Sequence, residues 1–122
     1  MQHSEKFLKI VDEARKKIVE TDIHQVKRRL DQGERLTLVD VREESEWQKD
    51  HLPKAIHLGK GIIERDIEAR VPDVQQEIIL YCGGGYRSAL AAENLQRMGY
   101  AKVISMDGGI RAWREAAYPL EK

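Results

Sequence analysis

The sequence predicts an α/β domain of three layers, α/β/α, around a five-stranded mainly parallel sheet, with an extra helix at the N-terminus. Three observations carry this. Short apolar runs with β-branched members, Leu36–Val41 and Ile78–Tyr81 above all, are nearly continuous in hydrophobicity, as strands buried on both faces are. Between the runs lie stretches with apolar residues at helical spacing, and alternating strands and helices imply parallel pairing with helices on both faces. At 122 residues the chain can hold one core.

Residues 4–18 read as a helix, with Phe7, Ile10, Val11, Ala14 and Ile18 on one face and charges of both signs elsewhere. The interspersed charges favour docking on the domain over a membrane or partner surface. We divide the chain here, with residues 1–19 as a helical extension and residues 20–122 as the domain. Ile18 and Val19 are expected to form a short first strand. Thr21 or Asp22 can cap a second helix carrying Ile23, Val26 and Leu30, which Gly33 ends.

Leu36–Val41 is the second strand, and it delivers Asp40 and Arg42 to its carboxyl end. These two either help orient a neighbouring loop or form a plain ion pair. Glu43, Glu44 and Glu46 enrich a short helical turn, from which Trp47 is expected to pack on the core. His51 to Leu58 reads as a turn and a third short strand, since Pro53 restrains its predecessor to extended conformations. We expect His51 to hydrogen-bond within that turn. Ile62, Ile63, Ile67 and Val71 mark a helix stopped by Pro72.

The fourth strand, Ile78–Tyr81, ends on the only cysteine, and Gly83, Gly84, Gly85, Tyr86, Arg87 and Ser88 follow. Ser88 can cap the next helix, whose apolar positions Ala91, Leu95 and Met98 precede Gly99. A fifth strand over Lys102–Met106 leads through Gly108 and Gly109, read as a tight turn, to a last helix with Ile110, Trp113 and Ala117, stopped by Pro119.

Cys82 thus stands where a strand has ended and a helix has not begun, the edge on which ligands bind in such sheets. Glycines without Cβ atoms allow successive amides to curl inward toward a sulfur or an anion. The helix N-terminus and Arg87 add positive potential, which favours the thiolate, the competent nucleophile. A buried structural cysteine beside an ordinary βα turn is the plainer reading of each part. The combination favours a nucleophile cradle.

Composition narrows the chemistry. Lys and Arg number 21 and Asp and Glu 21, so no basic excess points to nucleic acid or an anionic membrane. No apolar run is long enough to span a bilayer, the N-terminus does not resemble a signal peptide, and a cytoplasmic location is expected. One cysteine excludes an internal disulfide or a Cys-x-x-Cys pair, and His3, His24, His51 and His57 lack metal-ligand spacing. Neither metal nor cofactor is expected.

Four segments together resemble one family. Asp40-Val41-Arg42-Glu43, His51-Leu52-Pro53-Lys54-Ala55-Ile56, Tyr81 to Ala89, and Gly108 to Trp113 resemble, in order and spacing, the motifs of single-domain rhodanese-like sulfurtransferases over roughly residues 20–119. The resemblance implies the family's five-stranded parallel sheet, with the active-site loop after the fourth strand. It implies that Cys82 attacks a donor such as thiosulfate or a persulfide, that the amides of Gly83 to Ser88 support it, and that a Cys82 persulfide passes sulfur to a thiol, a protein thiol included, or to cyanide. Thiosulfate enzymes of this family often carry a second cation just after the cysteine. This chain has Gly83 there, so thiosulfate use is expected to be inefficient and persulfide transfer unaffected.

Two other readings compete. Cysteine-dependent phosphatases use a similar loop, but with five residues between cysteine and arginine where this chain has four, Gly83 to Tyr86. A non-catalytic binding or regulatory module is the other, and the retained cysteine with its glycines speaks against it.

Overall fold

The computed structural model describes residues 3–122. In chain order the elements are α1 (Glu5–Arg15), β1 (Val19–Thr21), α2 (Ile23–Asp31), β2 (Leu38–Asp40), α3 (Glu44–Lys49), β3 (Ile56–His57), α4 (Ile63–Arg70), β4 (Ile78–Tyr81), α5 (Tyr86–Arg97), β5 (Val103–Met106) and α6 (Gly109–Glu115). The five strands form one sheet in the order β1-β5-β4-β2-β3, and every pairing is parallel. The expected α/β sheet is therefore parallel throughout.

Alternate residues of β4 feed two cores. Ile78 and Leu80 pack with Ile63, Ile67, Ala91, Ala92 and Leu95 on one face, while Ile79 and Tyr81 pack with Ile23, Val26, Ile110 and Trp113 on the other. All four β4 residues are buried, as the continuous apolar run requires of a central strand covered on both faces. At the sheet edge β1 runs one residue further along than expected, over Val19–Thr21, and pairs with β5. Ile18 packs on the core beside it.

Helix α1 docks along α5 through Val11 and Ala14, both fully buried. Ile10, expected on that face, is 49 % exposed, and Leu8 is half-buried instead. Trp47 also departs from expectation. No residue of α3 is buried, and the indole lies half-exposed over the imidazoles of His51 and His57, with ring centroids 3.7 and 5.3 Å away. The short helix lies on the surface, so its aromatic side chain packs on neighbouring rings rather than in the core.

Asp22 caps α2 by accepting the Gln25 amide at 2.9 Å. Ser88, in contrast, does not cap α5. The helix begins three residues earlier than a Ser88 cap would place it, at Tyr86, and its cap is Gly85, whose φ of +97° is open to glycine. Ser88 consequently lies inside the first turn and is fully buried.

Candidate active site

Parallel pairing brings the ends of β2, β4 and β5 to one edge. Asp40 is in register with Tyr81, so the chain after β2 runs level with Cys82, and the Val41 amide extends the ladder to the Tyr81 carbonyl at 2.9 Å. Cys82 opens the loop just beyond β4 with 1 % of its surface exposed.

The loop bends back on the sulfur. The amides of Gly85 and Ser88 donate to Cys82 Sγ at 3.1 and 3.3 Å. Ser88 Oγ lies 3.5 Å from the same sulfur and 2.8 Å from Ser105 Oγ on β5, a buried polar chain. Among the described residues the amides of Gly83 and Gly84 have no acceptor. Those of Tyr86 and Arg87 belong to the first turn of a helix, where no carbonyl lies four residues back within it. The loop therefore presents donors that remain open to a ligand.

Gly108 and Gly109 hold this shape from behind. The amides of Ile110 and Arg111 donate to the carbonyls of Cys82 and Gly83 at 2.9 and 3.0 Å, which turns both carbonyls away from the sulfur. So close an approach requires glycine. A Cβ on Gly109 would stand 2.5 Å from the Cys82 carbonyl oxygen, at a φ of +56°. The glycine pair is thus a docking point between α6 and the loop.

Arg87 does not reach the sulfur. Its Nη1 and Nη2 donate to Glu46 of α3 at 2.9 and 3.3 Å. That hydrogen bond holds the Glu46 carboxyl below its usual pKa and raises that of Arg87. Glu46 also accepts the Glu43 amide at 3.0 Å, so the start of α3 and Arg87 share one carboxylate.

Asp40 and Arg42 form a buried, chelated pair, 0 % and 3 % exposed. Arg42 donates to Asp40 through its amide, Nε and Nη2, at 2.9, 3.0 and 2.7 Å. Burial works against the Arg42 charge, yet the hydrogen bonds and charge of Asp40 more than offset it and raise its pKa. Neither side chain hydrogen-bonds the cysteine loop. Arg42 instead donates to the Asp50 carbonyl at 2.6 Å, where α3 ends. His51 hydrogen-bonds the Leu52 carbonyl at 3.0 Å, within its own turn.

A cavity of about 520 Å³ opens above Cys82, lined by His3, Phe7, Glu46, Gly84, Arg87 and Arg111 among others. Three of its walls escape a reading of the linear motif. Helix α1 and the residues before it contribute one, in which His3 and Phe7 pack against Tyr86 at ring-centroid distances of 4.4 and 6.2 Å. Glu46 and Arg111 supply the others. Only the placement of Arg111 two residues after the glycine pair could have singled it out. Among the described residues no cluster of three or more histidines, cysteines or carboxylates could hold a metal, and no helix is long and apolar enough to cross a membrane.

Known proteins are similar to this chain in sequence and fold. The thiosulfate sulfurtransferase GlpE of Pseudomonas savastanoi pv. phaseolicola is 38 % identical over 84 residues, covering 69 % of this chain and 76 % of GlpE. YrkF of Bacillus subtilis is 34 % identical over 96 residues, and the match spans 79 % of this chain but about half, 51 %, of YrkF. A solved structure from Rhodopseudomonas palustris, described as a protein of unknown function and possible tyrosine phosphatase, superposes with a TM-score of 0.84 at 28 % identity. It covers 99 % of this chain and 98 % of its own, so α1 falls within the match. The model of the rhodanese-like domain matches residues 22–116, a span that runs from the cap of α2 through the cysteine loop to the end of α6, and the chain accordingly belongs to the rhodanese-like family.

Proposed function

We propose that this protein is a sulfurtransferase that carries sulfane sulfur as a persulfide on Cys82. The observation that carries the reading is the loop itself, where two amides already donate to Sγ and four more have no acceptor among the described residues. The name of GlpE, thiosulfate sulfurtransferase, supports the same chemistry.

With thiosulfate as donor, the Cys82 thiolate attacks the outer sulfur. A new S–S bond forms, the bond to the sulfonate sulfur breaks, and its electron pair leaves with sulfite. The terminal persulfide sulfur is then negatively charged, and the loop amides of Gly83 to Ser88 supply donors for it where no reorganisation is needed. Attack on that terminal sulfur by a thiolate, small or on a protein, or by cyanide regenerates the Cys82 thiolate. With no second cysteine in the chain, the persulfide cannot close into an internal disulfide.

Asp40 and Arg42 act as positioning residues in this scheme. Arg42 precedes α3 and also holds the carbonyl at its far end, so the pair fixes the helix that presents Glu46 to Arg87. The description of the Rhodopseudomonas protein favours a second reading, a phosphatase. Against it stand four residues between Cys82 and Arg87, one too few for a phosphate-enclosing loop, and an arginine engaged by Glu46.

Mass spectrometry of the intact protein after incubation with thiosulfate or a low-molecular-weight persulfide tests the proposal. One added sulfur that is lost on treatment with cyanide, and absent in Cys82→Ser, is the expected outcome. An unmodified protein that releases phosphate from an aryl phosphate would establish the phosphatase instead.

A further inference from the structure

Thiosulfate is a dianion, and the residue directly after Cys82 is Gly83, which carries no charge to meet it. The nearest candidate along the chain, Arg87, is neutralised by two hydrogen bonds to Glu46. Arg42 and Arg114 are likewise paired, with Asp40 and Asp50. Arg111 differs from all of these. It lines the cavity above Cys82, and its Nη1 lies 3.4 Å from the place a Cβ on Gly84 would occupy. Among the described residues no carboxylate pairs with its guanidinium and no hydrogen bond engages it. Its backbone is fixed, because its amide donates to the Gly83 carbonyl at 3.0 Å, so the side chain starts from a point tied to the loop.

We infer that Arg111 is the residue that binds the sulfonate group of an anionic sulfur donor and holds it as sulfite departs. The inference rests on the sulfurtransferase reading and revises the expectation drawn from Gly83: the second cation comes from the start of α6 and not from the loop. A planar guanidinium with several donors matches the oxygens of a sulfonate. In the reaction the Cys82 sulfur gains a bond to the outer sulfur of thiosulfate, and the electron pair of the broken S–S bond goes to the sulfite that Arg111 faces. The charge on the donor is concentrated at the leaving group, so the side chain governs donor choice and leaves the reactivity of the thiol unaltered.

Two reagents separate these effects. Thiosulfate carries the charge, whereas methyl methanethiosulfonate is an uncharged thiosulfonate that methylthiolates the same sulfur and expels a sulfinate. In Arg111→Ala, loading of Cys82 from thiosulfate should fall up to about fivefold, as expected for one solvent-exposed charge pair, with methylthiolation at the wild-type rate. Arg111→Lys should recover part of the loading, and added salt should slow the wild type more than the alanine variant. Equal loading of wild type and Arg111→Ala from thiosulfate overturns the inference alone. An equal loss with both reagents also overturns it, since the residue would then act on the thiol or the fold. A wild-type protein that is methylthiolated yet takes sulfur from neither thiosulfate nor a persulfide overturns the sulfurtransferase reading together with the inference.

Discussion

Two strand ends lie side by side on the same edge of the sheet and treat polar groups in opposite ways. After β2, Asp40 and Arg42 satisfy each other and an adjoining carbonyl, with almost no surface left to water. After β4, two amides turn to a single sulfur and four others have no acceptor. The first region is closed electrostatically and belongs to the framework. The second is left with amide donors that have no acceptor, the arrangement an anion-binding loop requires. A folded chain can keep such unsatisfied donors only where neighbouring elements hold them, and here α3, α6 and α1 do so.

The sharpest way to break this contrast is to open the closed region. Asp40→Asn leaves the Arg42 guanidinium buried beside a neutral amide. Removing one partner of a buried pair costs about 3–5 kcal/mol, so urea unfolding should show a loss of that order at neutral pH. Replacing both, as Asp40→Leu with Arg42→Met, should return much of it, since no isolated charge is then left in the core. If Asp40→Asn is tolerated with less than about 1 kcal/mol lost, a figure typical of exposed pairs, the two strand ends are not different in kind.

The incomplete region can be tested through what holds it. Gly109→Ala places a Cβ 2.5 Å from the Cys82 carbonyl oxygen and asks a non-glycine residue to keep a left-handed φ. The backbone penalty alone is about 1–2 kcal/mol, and α6 must also move off the loop. Both carbonyls would then be free to rotate. Sulfur loading should fall by more than the loss in stability accounts for, measured on protein still folded by circular dichroism. Unchanged loading would mean that the loop keeps its shape without α6.

These two regions also differ in how far they can be read from a sequence. The cysteine loop is contiguous, so Cys82, the glycines and the strand before them announce the site within a dozen residues, and the α/β alternation announces the parallel sheet. The walls of the cavity come from segments up to 108 positions apart, His3 and Arg111 among them. Nothing in the local pattern of α1 tells that Phe7 meets Tyr86. Nor does helical periodicity show that Glu46 engages Arg87, because both face outward on their own helices. Ser88 was legible as a helix cap and is nevertheless an interior residue. The left-handed Gly85 starts the helix earlier, and three consecutive glycines give no sign of which one takes that conformation.

The smallest expected effect lies where the two regions meet, at the Glu46–Arg87 pair. The hydrogen bond from Arg87 lowers the Glu46 pKa from its ordinary 4.5. A carboxylate depressed in this way contributes stability that is present above the ordinary value and is lost as pH falls through the lowered one. The two side chains are 32 % and 36 % exposed, so solvent screens the pair and its worth is at most about 1 kcal/mol. Glu46→Gln should therefore lower the thermal midpoint by only a few degrees at pH 7, and the gap to wild type should close as the pH drops below 4.5. Glutamine keeps an oxygen that can still accept the Glu43 amide, so the variant removes the charge and spares the cap. A gap that persists undiminished in acid would place the effect in packing at the start of α3, and Arg87 would then be held by something other than the carboxylate beside it.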